Sequence, residues 1–137
     1  MELPRIKTCA MKYLCGPKDA DLRELPNPRW TDIELAIRQL NGDDRTLVSF
    51  GSGTPAPHMA IGGGRDGKYI VYATHDNITF YMMVGNDKSE GKVVFVAGGQ
   101  PGDYLIRNCV TQERALRAAQ VFAEECRVDS SFEWDTR

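Results

Sequence analysis

Two stretches of the chain place apolar residues three or four positions apart, which is the spacing of an amphipathic helix. In the first, WTDIELAIRQL, Thr31 and Glu34 have the spacing of a capping box and predict a helix whose N-cap is Thr31. The second, TQERALRAAQVFAEEC, predicts a helix that begins after Thr111. The residues expected to face the core are Ile33, Ala36, Ile37 and Leu40 in the first helix, and Ala115, Leu116, Ala118, Ala119, Phe122 and Cys126 in the second.

Elsewhere the pattern changes to short runs of β-branched and aromatic residues, which are typical of strands. A short strand is predicted at Thr8 to Leu14, whereas LPNPRW, Leu25 to Trp30, is expected to be a connector. The glycine-rich AGGQPGD, Ala97 to Asp103, is expected to end a strand. The other predicted strands lie within TLVSFGSG, MAI, KYIVYAT, ITFYMMV and KVVFVAG.

Strands in series with short turns favour an antiparallel meander. The sequence therefore predicts one α+β domain over residues 1–137. Its architecture is expected to be an antiparallel sheet of about five strands with two α-helices packed on the same face.

The segment IGGGRDGKYIVY matches the pattern G-x-G-x-x-G, which many proteins use to bind a nucleotide phosphate. That use requires a helix after the last glycine, because the phosphate binds the amides of the helix N-terminus. Gly67 is instead followed by the strand pattern KYIVYAT. We expect a hairpin turn at Arg65-Asp66-Gly67, and a bulge or close backbone approach at Gly62 to Gly64. A glycine-floored surface for a partner is the remaining alternative.

The chain offers little that resembles a catalytic or metal site. His75 and Asp76 are adjacent at a predicted strand end, but neighbours on a strand point to opposite faces, so a turn is favoured over a site. The four cysteines lack C-x-x-C spacing and are expected to be reduced, buried thiols: Cys9, Cys15, Cys109 and Cys126. We predict no catalytic residue, no cofactor and no metal.

Composition limits the possible partners. The 137 residues include 17 Lys and Arg against 19 Asp and Glu, so no global positive field would attract nucleic acid or an anionic membrane. No apolar run approaches the roughly 20 residues that span a bilayer, and the N-terminal residues lack the apolar stretch of a signal peptide. We expect a cytoplasmic protein without direct nucleic-acid or membrane contacts.

The chain contains, in this order, the Trp-led first helix WTDIELAIRQL, the strand and glycine-rich hairpin HMAIGGGRDGKYIVY, and the close NCVTQERALRAAQVFAEECRVDSSFEW. Their order and character resemble those of the Imm1 immunity proteins of bacterial polymorphic toxin systems. The resemblance covers roughly residues 30–134 and leaves the first thirty residues unexplained. Trp134, near the chain end, is expected to pack back on the domain, because terminal residues fray unless they are anchored.

The resemblance implies a small antitoxin without chemistry of its own. Such a protein binds a cognate toxin domain, in the typical case a nucleic-acid deaminase, and blocks its active site in a one-to-one complex. Toxins that act on nucleic acids need basic substrate channels, so acidic loops would increase the association rate and the specificity. The toxin-binding candidates are acidic residues of predicted loops: Asp43, Asp44, Asp76, Asp87, Glu90 and Asp103.

Two alternatives from other functional classes remain open. The first is a small ligand-binding or enzymatic domain, with its pocket near Gly62–Gly67 and with His75 and Asp76 at the pocket mouth. The second is an assembly domain that pairs through an exposed strand edge.

Overall fold

The computed structural model describes residues 8–14, 20–52 and 57–137, and these segments form an α+β fold, as predicted. The helices are α1 Trp30–Arg38 and α2 Gln112–Glu125. The strands are β1 Thr8–Leu14, β2 Ala20–Pro26, β3 Arg45–Gly51, β4 His58–Gly63, β5 Tyr69–Thr74, β6 Phe80–Met83, β7 Lys92–Ala97, β8 Gln100–Leu105 and β9 Trp134–Thr136. The extent of the domain, residues 1–137, stays a prediction.

The described strands form one large sheet in the order β2-β1-β3-β4-β5-β6-β9, in which neighbouring strands are antiparallel. The predicted meander is correct from β3 to β6. It is wrong after β6, because β7 pairs with β8 in a separate two-stranded sheet and β9 takes the place beside β6. The predicted connector is also partly wrong, because Leu25 and Pro26 end the edge strand β2, where a proline is tolerated.

The glycine-rich segment Ala97–Asp103 does not simply end a strand. Gly98 and Gly99, with φ of 64° and 79°, make the tight turn between β7 and β8, and the chain then continues as β8. The pattern concealed β8 because proline and glycine, here Pro101 and Gly102, have low strand propensity.

Both helices pack on one face of the large sheet, as predicted. Alternate residues of β3 and β4 supply the sheet side of this core, and the Phe50 ring meets the Phe122 ring of α2 at 6.0 Å between centroids. Burial of each such side chain contributes about 1.5 to 3 kcal/mol. The predicted core positions of the helices are all buried: Ile33, Ala36, Ile37, Leu40, Ala115, Leu116, Ala118, Ala119, Phe122 and Cys126.

The two helix starts differ in how well the sequence predicted them. α2 begins after Thr111, whose hydroxyl accepts a 3.3 Å hydrogen bond from the Arg114 amide, as expected. α1 begins earlier than predicted, because its N-cap is Arg29, whose amide donates a 2.9 Å hydrogen bond to the Asp32 carboxylate. The acid three positions after the N-cap is therefore Asp32, and the box predicted from Thr31 is wrong.

The β7–β8 hairpin covers part of the other face of the large sheet. The Gly99 amide donates a 2.9 Å hydrogen bond to Thr46 Oγ1, and a Cβ on Gly62 would lie 2.8 Å from the Cβ of Ala97. Close backbone approach, one of the two alternatives predicted for Gly62 to Gly64, is present at Gly64, where a Cβ would lie 2.6 Å from the Leu40 carbonyl oxygen. The turn predicted at Arg65-Asp66-Gly67 is also present, with φ of 57° at Asp66.

The C-terminal strand is anchored to the domain at two points. The Trp134 indole Nε1 donates a 2.9 Å hydrogen bond to the Asp129 carbonyl, and its ring packs against the core, as predicted. The Asp135 carboxylate accepts hydrogen bonds of 3.0 and 2.9 Å from the Arg107 guanidinium.

Candidate binding surface

The six acidic residues predicted to bind a partner do not form one cluster. Asp43 and Asp44 lie in the loop between α1 and β3, which contacts the β4–β5 turn: a Cβ on Gly42 would lie 2.5 Å from that of Arg65. Asp76 lies beyond the opposite end of β5, a strand of six residues that spans about 17 Å. These three acids therefore lie at two ends of the sheet.

The other three acids lie around the β7–β8 hairpin. Asp87 and Glu90 belong to the loop that leads into β7, and Asp103 lies on β8 opposite Val94. Hydrogen bonds from Ser89, including a 3.0 Å bond from its amide, lower the pKa of Asp87. Asp87 is therefore ionised at neutral pH.

His75 and Asp76 form a turn, as predicted, and have separate roles. The amides of Thr79 and Ile78 each donate a 2.9 Å hydrogen bond to the Asp76 carboxylate and lower its pKa. The His75 ring lies 6.1 Å from the Phe122 ring, on the helix side of the sheet. Because β5 separates this turn from Gly67, the predicted pocket that combined the two places is wrong.

A cleft of about 450 Å³ opens at the base of the hairpin. The β4–β5 turn, the loop before β7, the start of β7 and the start of α2 form its walls. Three cations and one carboxylate line it, so its local charge is positive although the net charge of the protein is −2. Its lining includes the charged residues Lys68, Lys92, Arg114 and Asp87, and the apolar residues Val93, Ile106 and Val110.

The lysines of the cleft are available to a partner. Within the described part of the chain, neither the Lys68 nor the Lys92 ammonium group makes a hydrogen bond or an ion pair. The Arg114 guanidinium lies 5.4 Å from the centre of the Phe132 ring. This cation–π contact positions the guanidinium, and its positive charge is not neutralised by a carboxylate of the described residues. Lys68 lies close enough to Asp87 for its charge to help lower the pKa of that carboxyl. The cleft therefore combines Lys92, Lys68 near the Asp87 carboxylate, and the Arg114 cation held against the Phe132 ring.

A partly exposed apolar strip lies on the outer face of the hairpin, beside the cleft. Val94 is 64% exposed and Val96 is half-buried, whereas Phe95 between them is buried toward the large sheet. Leu105 completes the strip and pairs with Lys92, so the strip ends at the cleft mouth. We call the strip and the cleft together the hairpin–cleft surface: Val94, Val96, Leu105, Lys68, Asp87, Lys92 and Arg114.

Sequence reasoning missed this surface because its parts come from separate segments of the chain. The available signal was the run KVVFVAG, in which Val94 and Val96 lie on the face opposite Phe95. A strand that is apolar on both faces requires cover on both, and β7 has cover on one.

The remaining sites of interest carry no evident chemistry. Cys9 and Cys126 are buried, Cys109 is half-buried, and all three are free thiols. Burial raises the pKa of Cys9 to about 11, and the negative charge of Asp32 contributes a smaller part of this increase. Cys15 lies outside the described residues. The described segments contain no group of three metal-binding side chains. Neither α1 nor α2, the helices of those segments, is long and apolar enough to cross a membrane.

The sequence model of one known family, described as Immunity protein Imm1, matches residues 23–136. The chain belongs to the Imm1 family. The resemblance found in the sequence is thus confirmed, and the match begins earlier than residue 30 and contains the whole hairpin–cleft surface. Membership of an immunity-protein family supports an antitoxin role rather than an enzymatic one. A comparison of this Imm1 protein with curated proteins finds no match.

Proposed function

We propose that this Imm1 protein is a cytoplasmic antitoxin that forms a one-to-one complex with a cognate toxin domain and blocks its active site. We also propose that the toxin is a nucleic-acid deaminase. The family match over residues 23–136 is the observation that carries the proposal. Inhibition of this kind needs a stable binding surface and no catalytic group on the antitoxin.

The hairpin–cleft surface is the proposed contact. Protein interfaces combine an apolar centre, which loses its water on binding, with a polar rim. Val94, Val96 and Leu105 would form the centre, since Val94 is well exposed on a hairpin that is backed by the large sheet. Glu90 and Asp103 would form part of the rim and contact the basic channel of the toxin.

Of the other acidic candidates, Asp76 lies away from this contact, because it is engaged in its own turn at the far end of β5. Asp43 and Asp44 lie near the β4–β5 turn, which also forms a wall of the cleft. We therefore expect substitutions of Glu90 or Asp103 by Lys to weaken toxin binding more than substitution of Asp76 by Lys.

The experiment is co-expression with the C-terminal domain encoded by the adjacent gene. We expect the two proteins to co-purify in equal amounts and the antitoxin to restore growth to cells that produce the toxin. The absence of both a complex and rescue would contradict the antitoxin role.

The deaminase part has a separate test. Deamination of an oligonucleotide by the toxin domain should fall linearly as antitoxin is added and reach zero at one equivalent. A toxin that binds the antitoxin but does not deaminate nucleic acid would contradict this part alone.

A further inference from the structure

We propose that the cleft receives an acidic side chain of the toxin domain. This inference rests on the proposed function, because it requires a toxin domain as the partner. The toxin domain is then expected to present an acidic side chain to the cleft, in addition to a basic channel nearby.

The charge balance of the cleft carries the inference. Lys68, Lys92 and Arg114 contribute three positive charges, and the Asp87 carboxylate, which accepts hydrogen bonds from Ser89 and lies near Lys68, contributes one negative charge. Two positive charges therefore remain for a ligand. The positive end of the α2 dipole, which begins beside Thr111, adds to the same field.

The surroundings of the cleft favour an acidic group carried by a protein. The apolar strip of Val94 and Leu105 continues from the cleft mouth and suits the apolar part of a protein surface. Glu90 and Asp103 lie nearby on the loop and on β8 and would repel a phosphate backbone. A toxin carboxylate is thus the occupant that agrees with both features.

The alternation of charge would also fix the orientation of the complex. A partner that places an acid in the cleft and a base against Glu90 or Asp103 satisfies both signs in one orientation. A partner rotated on the surface would bring like charges together, which disfavours that arrangement. The cleft would therefore contribute to the choice of the cognate toxin.

Charge reversal at the cleft tests the inference. Toxin affinity is measured for Lys92→Glu and Lys68→Glu, with Arg127→Glu as the control, because Arg127 follows the far end of α2, about 21 Å from Thr111. We expect each cleft variant to weaken binding by about tenfold or more and the control to change it by less than about threefold. If either charge reversal changes the far-ultraviolet circular dichroism spectrum, Lys92→Gln is measured in its place. This neutral variant should also weaken toxin binding.

The partner residue can be identified by compensation. Each surface Asp or Glu of the toxin is replaced by Lys, and one such toxin should bind Lys92→Glu more tightly than it binds the wild-type antitoxin. If the cleft variants bind the toxin like the wild type, or if no toxin substitution compensates, the inference is overturned while the complex itself stands. If the wild-type proteins form no complex, the proposed function fails first.

Titration of the free antitoxin with inorganic phosphate and with a short oligonucleotide separates a nucleic-acid site from a carboxylate site. We expect neither probe to bind with millimolar or better affinity. Saturable binding of either probe that Lys92→Glu abolishes would contradict the inference, because the cleft would then serve a phosphate.

Discussion

Val94 and Ile78 are both aliphatic and well exposed, at 64% and 80%. Only Val94 belongs to the hairpin, two residues from Lys92 of the cleft lining. Exposed apolar residues gain from burial in an interface, whereas isolated ones need no explanation. Val94→Glu should therefore weaken toxin binding by at least about tenfold, or about 1.4 kcal/mol. Ile78→Glu, the matched control, should bind like the wild type in the same calorimetric titration. Equal effects of the two substitutions on toxin binding would show that the hairpin is not part of the interface.

Alanine substitutions at Gly64 and Gly67 distinguish the cost of backbone strain from the cost of steric clash. Both glycines have positive φ, at 107° and 69°, so both substitutions introduce strain. A Cβ on Gly64 would lie 2.6 Å from the Leu40 carbonyl oxygen, whereas a Cβ on Gly67 would meet nothing within 4 Å. Gly67→Ala should thus lower the free energy of unfolding by about 1 kcal/mol, the strain alone. Gly64→Ala should lower it by about 3 kcal/mol or more, as measured by urea denaturation. Similar losses would show that Leu40 can move away.

Asp135 is one of the residues that anchor β9 to the domain. Burial alone would raise its pKa, but hydrogen bonds from Asn108 and Arg107 lower it below its ordinary value of about 3.9. Asp135→Asn should lower the free energy of unfolding by about 1 to 2 kcal/mol at pH 7. Glu133→Gln, which alters a more exposed pair with Arg107, should cost less than about 1 kcal/mol.

The effect of Asp135 should depend on pH with a definite sign. A carboxyl whose folded pKa is lowered stabilises the protein above its unfolded pKa and loses this contribution as the pH falls through the folded pKa. The difference between wild type and Asp135→Asn should therefore be constant above about pH 5 and shrink below about pH 4. Denaturation curves from pH 7 to pH 3 measure it. A gap as large at pH 3 as at pH 7 would contradict an ionic role, because part of the contribution is lost once the pH is below the unfolded pKa.

Local patterns predicted the helices from their one apolar face, and the strands β3 to β6 from short runs of apolar, β-branched and aromatic residues. These runs are recognisable where burial alternates, as in β3, and where both faces are buried, as in β4 and β5. Local patterns did not predict β9, because its three residues WDT are too few to show a hydrophobic period. The strand is also anchored by Arg107, which is 28 positions from Asp135 in the chain. The same limit applies to the candidate site. Asp76 and Asp87 were correctly expected in turns or loops, but their separation depends on strand pairing, which local sequence does not specify.

At the scale of the whole molecule, the family match and the folded unit have different boundaries. The match begins at Arg23, inside β2, and so omits β1, which lies between β2 and β3. β1 contributes to the core, since Cys9 is 1% exposed and pairs with Phe50 of β3. The residues matched by the family are therefore not expected to be a stable unit on their own.

Deletion of residues 1–22 tests this expectation. The deletion removes a buried core position and leaves β3 as an unpaired edge, which favours pairing between chains. We expect the free energy of unfolding to fall by more than about 2 kcal/mol, the value of one buried side chain, and size-exclusion chromatography to show concentration-dependent association. Cys9→Ser in the full chain should destabilise the protein less and cause no association, because β1 remains paired. A truncated protein that stays monomeric and keeps the stability of the full chain would mean that β1 is dispensable to the core.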